Sequence, residues 1–278
     1  MLGNTPITFP IDWHSSKIPG YAANIEIPEI HHFSAYVITS SVAARFFPPQ
    51  VAGAGATVGA TGLPFRIDHD EKFNQNSHIQ YTLSRGKWIN GLWGGFNWRF
   101  DSGMVAGSTP CYSPTDPNSA CPNTSIILPD GEPGIAMVDN NIPPAINPVT
   151  GAGVYLPLTL DEESQGGFAC NGVAANVKNP GTYFSSCPAN ELTSKLIDIP
   201  APGAGNNDKD PPRIQHRDLF DASLGKDNIF HGDRYKVNLD LTAINVTDKF
   251  ALYNYLSTFS GTHYVTPRAL TAKITLNF

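Results

Sequence analysis

The chain ends in an unbroken alternation. Leu270, Ala272, Ile274, Leu276 and Phe278 fall on one face of an extended segment, and Thr271, Lys273, Thr275 and Asn277 on the other. This period of two marks a strand with one apolar and one polar face. A second stretch sets Tyr235, Val237, Leu239, Leu241 and Ala243 against Arg234, Lys236, Asn238, Asp240 and Thr242. Within 69–84, Phe73, Ser77, Ile79, Tyr81 and Leu83 alternate with Asn74, Asn76, His78, Gln80 and Thr82. Similar patterns occupy 20–28, 32–46 and 87–101, a weaker one 216–225, and a poorly defined one lies within 5–13. The pattern predicts an all-β chain of seven or eight strands that pair as antiparallel neighbours.

The connections between these strands alternate in length. The segments 29–31, 85–86 and 226–233 are short, whereas 47–67, 102–215 and 248–265 are long. A transmembrane barrel has short turns on its periplasmic rim and long loops outside, a rule that an ordinary sandwich has no reason to follow. Aromatic residues gather near strand ends: Phe46, Phe47, Trp88, Trp93, Trp98, Phe100, Tyr253, Tyr255, Tyr264 and Phe278. Two girdles at headgroup level are the membrane expectation. The competing account makes them core aromatics of a soluble β-protein.

Composition narrows the choice. With 25 Gly and 24 Pro in 278 residues, few stretches can hold an uninterrupted helix. No apolar run reaches the roughly 18 residues of a membrane helix, but a membrane strand of about 9–11 residues leaves no hydropathy peak. A net charge of −6 without a Lys/Arg cluster argues against a nucleic-acid surface. The first residues show neither a basic nor an apolar export signal, so an exported protein would have its true N-terminus upstream.

The segment 102–215 contains 16 of the 24 prolines and all four cysteines, and reads as a long external loop. Cys111, Cys121, Cys170 and Cys187 lack zinc-site spacing and read as two local disulfides of an oxidising compartment, the alternative being unrelated thiols. Asp68-His69-Asp70-Glu71 resembles a metal cluster in composition, but its members alternate across an extended chain and do not converge on one ion. His31-His32 falls at a short turn, and His231 and His263 lie in connections without a carboxylate or cysteine at ligand spacing. No GxSxG, HExxH or phosphate-binding glycine motif occurs, so neither an enzyme nor a cofactor is expected.

Several segments carry a family resemblance. Asn245-Val-Thr-Asp-Lys, then Phe259-Ser-Gly-Thr-His-Tyr-Val-Thr-Pro-Arg268 and the last strand to Phe278, are similar to the ending of TonB-dependent outer-membrane receptors. The likeness is to the large type that often begins with a carboxypeptidase-regulatory-like domain. Phe65-Arg-Ile-Asp-His-Asp-Glu-Lys-Phe73 and Gly95-Phe-Asn-Trp-Arg-Phe-Asp-Ser-Gly-Met-Val-Ala-Gly107 resemble internal parts of that barrel. The terminal Phe278 resembles the signal that hands such barrels to the outer-membrane assembly machinery.

The resemblance implies a partial antiparallel transmembrane β-barrel, about a third of a roughly 22-stranded one, in a Gram-negative outer membrane. It implies uptake of a scarce nutrient such as a siderophore, vitamin, glycan or peptide, driven by an inner-membrane TonB complex. Loops 47–67, 102–215 and 248–265 would help to capture that small ligand, while Asn97, Arg99, Asn238 and Asp240 would face the lumen. The plug, the energy-coupling segment and the signal peptide have no counterpart here. Because a third of a barrel leaves backbone groups unpaired in lipid, the chain is expected to be a truncated product or gene fragment. The alternative is a self-contained small barrel acting as an adhesin, protease or phospholipase.

Overall fold

The computed structural model describes residues 15–47, 65–66, 70–84, 86, 89–110, 137–139, 145–146, 153–154, 158–178, 187–188, 190–201, 210–230, 235–257 and 261–278. The fold is mostly antiparallel β-sheet. Seven long strands form one sheet: β1 (Gly20–Ile30), β2 (Phe33–Val42), β3 (Asn74–Leu83), β4 (Leu92–Asp101), β5 (Arg217–Lys226), β6 (Lys236–Ile244) and β7 (Ala269–Asn277). Spatial order equals chain order, a simple meander, and every pairing is antiparallel. β1 and β7 each have one sheet neighbour among the described residues, so the sheet is open. The poorly defined strand within 5–13 lies outside the described residues.

The alternation read from the sequence becomes two chemically distinct faces, because directly paired residues share a side of the pleat. Asn97 of β4 pairs with His78 of β3 and Asp221 of β5, and Asp240 of β6 pairs with Gly225 and with Lys273 of β7. Following the register places Asn24, Tyr36, His78, Asn97, Asp221, Asp240 and Lys273 on one side. The other side carries Ile25, Val37, Ile79, Phe96, Phe220, Leu241 and Ile274.

Nothing in the described chain covers the apolar face. Ile25 is 67% exposed, Ile79 48%, Leu241 44% and Ile274 73%. The main cluster of buried apolar residues draws on Met104, Leu158, Phe168, Ile197, Ile214, Leu252 and Tyr255, none of which belongs to the central part of a sheet strand. A soluble β-protein has the reverse arrangement, with its core beneath its sheet.

That buried cluster forms a cap on one rim, built from the long connections after β4 and β6. The segment that the sequence suggests to be a loop without regular structure is partly folded. A short helix, α1 (Leu160–Gln165), starts with a capping box between Thr159 and Glu162. Phe168–Cys170 pairs with Val173–Ala174 and Leu192–Ser194. These pieces are too short to show a period, which is why the pattern misses them. Cys170 and Cys187 are joined in a disulfide, while Cys111 and Cys121 lie outside the described residues.

The opposite rim carries only short connections. His31 and His32 turn β1 into β2 with φ of 50° and 69°, the left-handed pair that a two-residue hairpin with the right twist requires.

Candidate functional site

The polar face and the rim beneath the cap hold most of the charged chemistry among the described residues. On the face, His78 Nδ1 lies 2.7 Å from Asn97 Oδ1, and its ring stacks on Tyr36 at 5.2 Å. Arg99 Nη2 donates to Asp221 Oδ1 at 3.1 Å, and the same oxygen accepts the backbone N–H of Asn245 at 2.9 Å. Asn97, Arg99, Asn238 and Asp240 thus share one side of the sheet, but the structure does not bring all four together. β5 separates Asn97 and Arg99 from the other two. Asn238 Oδ1 accepts the N–H of Asn228 and so braces the turn before β6.

The rim holds a network that the sequence alone does not disclose. Asp70 is buried; its carboxylate accepts from Ala44 N at 2.6 Å, from Arg66 Nη1 at 3.2 Å and from the Arg213 guanidinium. Arg213 also donates to the carbonyls of Asp70 and Gly103. Next to it, Asp101 accepts from Arg217 and from Gly103 N. Arg217 spans the junction, donating to the carbonyls of Leu252 at 2.8 Å and Tyr253 at 3.2 Å and lying 5.0 Å from the Tyr253 ring centroid. A buried acid needs such partners, because an unpaired charge there costs several kcal/mol. The only trace in the sequence is charge at strand ends, with Asp101 closing one strand and Arg217 opening the next.

Glu71 is the odd member. Its Oε2 accepts from Asn74 Nδ2 at 3.1 Å, while its Oε1 is buried. Burial, followed by the hydrogen bond with Asp101, pushes its pKa up to about 8. Asp70 and Glu71, neighbours in the acidic run at 68–71, therefore serve different partners; Asp68 and His69 lie outside the described residues.

The segments that carry the family resemblance meet at this rim. Asn245 donates to Lys249 O and Thr266 O, both at 3.0 Å, and Asp248 Oδ1 accepts the N–H of Arg268 at 2.9 Å. The Asn245–Lys249 turn and the Pro267-Arg268 step thus clamp the base of the last long connection. The two internal segments also touch: Ser102 N donates to Phe73 O at 2.9 Å and Val105 N to Asp70 O at 3.2 Å.

Aromatic placement differs in part from the expectation. On the apolar face Tyr21, Trp98 and Phe100 lie toward the cap rim, and Phe33, Tyr81 and Phe278 toward the short rim, with Phe230 and Tyr235 in the adjoining turn. Trp98 Nε1 donates to Asp218 at 2.9 Å. Tyr255, however, is fully buried in the cap, its hydroxyl on Glu162 O and its ring edge-on to Phe168. Trp93 falls on the polar face, over Gly225. The Phe46 and Phe47 side chains and Trp88 lie outside the described residues.

Among the described residues, a nucleophile–base contact lies on the short rim: Ser84 Oγ is 2.7 Å from His32 Nε2. Glu29 is 3.6 Å from His32 Nδ1, too far for a hydrogen bond, and both side chains are well exposed. Water competes for each contact, so no hydrolytic reading follows. His263 sits in the Gly261–Tyr264 strand of the cap, and His231 lies outside the described residues. No family model, curated protein or solved structure matches the chain.

Proposed function

We propose that the chain is part of an outer-membrane β-barrel receptor of the TonB-dependent type, importing a scarce nutrient across a Gram-negative outer membrane. The observation that carries the reading is the uncovered apolar face. Seven strands at about 4.8 Å spacing, each rising about 3.4 Å per residue over nine or more residues, make a face of roughly 900 Å². Soluble monomers seldom expose an apolar patch beyond a few hundred Å². Lipid removes the conflict, and strands of 9 to 11 residues have the length for a tilted crossing.

Three further features support the same reading. Several polar groups on the apolar face are bonded: Gln75 Nε2 to Ser77 Oγ, Trp98 to Asp218, and Lys226 to carbonyls at the short rim. Aromatics lie toward both ends of that face, as interfacial belts do. All long connections leave one rim and all short ones the other. On this reading the folded cap is external and contributes to ligand capture, while Asn97, Arg99, Asn238 and Asp240 face the lumen. The edges of β1 and β7 take further barrel strands, the assembly machinery inserts the chain, and coupling to the TonB complex resides in parts beyond the described sheet. No catalytic role is assigned.

Site-directed spin labelling in lipid vesicles tests the membrane placement. Labels at Ile79, Phe96 and Leu241 should collide with oxygen dissolved in the bilayer, and labels at His78, Asn97 and Asp240 with a water-soluble relaxant. Low oxygen collision at all six positions would mean that protein covers the apolar face, and the reading would fall. Maleimide labelling of intact cells tests the orientation: a cysteine at Val177 in the cap should react, and one at Phe230 only after permeabilisation.

A further inference from the structure

We propose that Glu71 holds a proton against the Asp101 carboxylate, and that losing it loosens a hairpin of the cap, the paired strands Leu252–Ser257 and Gly261–Tyr264, from the sheet rim. The inference rests on the rim geometry and not on the membrane reading. Asn74, whose side chain holds Glu71 Oε2, is the direct cross-strand partner of Asp101. The two carboxyl groups are within hydrogen-bond reach of each other, and among the described residues no donor reaches the buried Glu71 Oε1. Like charges at such a site do not both ionise readily, whereas one proton between them converts repulsion into a hydrogen bond.

The groups facing the pair come from every neighbouring element. Asp101 closes β4 and Arg217 opens β5, with Arg99 on the same side of β4. Tyr253 comes from the cap hairpin, and Asp70 with Arg66 and Arg213 forms the adjoining ion cluster. His216 lies on the opposite side, against Phe100. Of these cations, Arg66 and Arg213 hold Asp70 and Arg99 holds Asp221, which leaves Arg217 to answer any new negative charge.

Arg217 is also what fastens the hairpin, through the carbonyls of Leu252 and Tyr253. When the Glu71 proton passes to solvent, two carboxylates compete for one guanidinium. The fork then turns toward the acids and away from the hairpin carbonyls. Three further hydrogen bonds hold the same hairpin to the rest of the cap, Gly107 N to Tyr255 O, Tyr255 Oη to Glu162 O and Tyr264 Oη to Gln165 O, so the expected response is local loosening and not loss of the cap. With the Glu71 pKa near 8, the change falls in the mildly alkaline range.

Hydrogen exchange on the full chain in detergent, corrected for the intrinsic pH dependence of amide exchange, provides the test. Amides of residues 252–257 should lose at least about tenfold of their protection between pH 6.5 and pH 9.5, while those of 94–98 in mid-strand stay constant. Glu71→Gln, a neutral isostere, should abolish the loss and keep the mid-strand protection. Asn74→Ala removes a hydrogen bond that favours ionised Glu71, so it should move the midpoint to higher pH. A wild-type profile without pH dependence, or one that Glu71→Gln leaves in place, would overturn the proposal. So would a midpoint that Asn74→Ala leaves unmoved or lowers.

Discussion

Gly225 has no room for a methyl group. A Cβ there would lie 2.3 to 2.5 Å from three atoms of the Trp93 indole, its direct cross-strand neighbour. The ring covers the bare backbone of β5, so each residue explains the other. Gly225→Ala should push the indole off the strand and cost about 1–3 kcal/mol, read as a lower unfolding midpoint with red-shifted tryptophan emission. Combining it with Trp93→Ala should cost less than the two changes added together. Glu71 offers a second test at this scale. Its pKa is raised to about 8 by burial first and Asp101 second, so the folded state binds more protons than the unfolded one between about pH 4.5 and 8. Its stabilising contribution is complete below about pH 4.5 and is lost as pH rises through 8. The unfolding temperature should therefore fall across that window in the native chain, and fall less in Glu71→Gln.

Among the elements, the turn that ends β6 does the most with the fewest residues. Asn245 adopts φ of 49° and is buried, and its side chain joins Lys249 N, Lys249 O and Thr266 O. Asparagine tolerates the left-handed region because its short polar side chain bonds locally. Alanine would retain the strain and leave two carbonyls and one N–H without their partner. Asn245→Ala should cost about 2–3 kcal/mol, seen as faster proteolysis within 245–268 before any loss of the central strands.

For the whole molecule, the decisive property is which side of the sheet meets which solvent. Leu241 and Thr242 are neighbours in β6 on opposite faces. If the apolar face lies in lipid, Leu241→Arg should cost about 2–4 kcal/mol near the bilayer centre, and Thr242→Arg far less. Folding titrations in vesicles measure the difference, and equal costs would count against a membrane face. The same molecule keeps its well-packed core in the cap, where Tyr255 and Phe168 meet edge-on. If the apolar face lies in lipid, sheet and cap should respond to different agents, the sheet to the loss of lipid or detergent and the cap to ordinary denaturants.

The sequence by itself determined the seven long strands and their faces, because a period of two needs only the identities of successive residues. Ile79, Leu241 and Ile274 can be assigned to one side without knowing what pairs with what. It also determined the alternation of long and short connections, and hence a meander with two unlike rims. Only the tertiary structure decided the rest. The Asp70–Arg213 pair joins residues 143 apart, a separation over which local pattern carries no information. The partly folded state of 102–215 was hidden because strands of two or three residues have no measurable period. The cap needs contacts from 245–268 to bury its apolar residues, and chain order does not reveal that those segments meet. That no described residue covers the apolar face also follows only from the assembled sheet, since alternation reads the same whether lipid or protein lies against it.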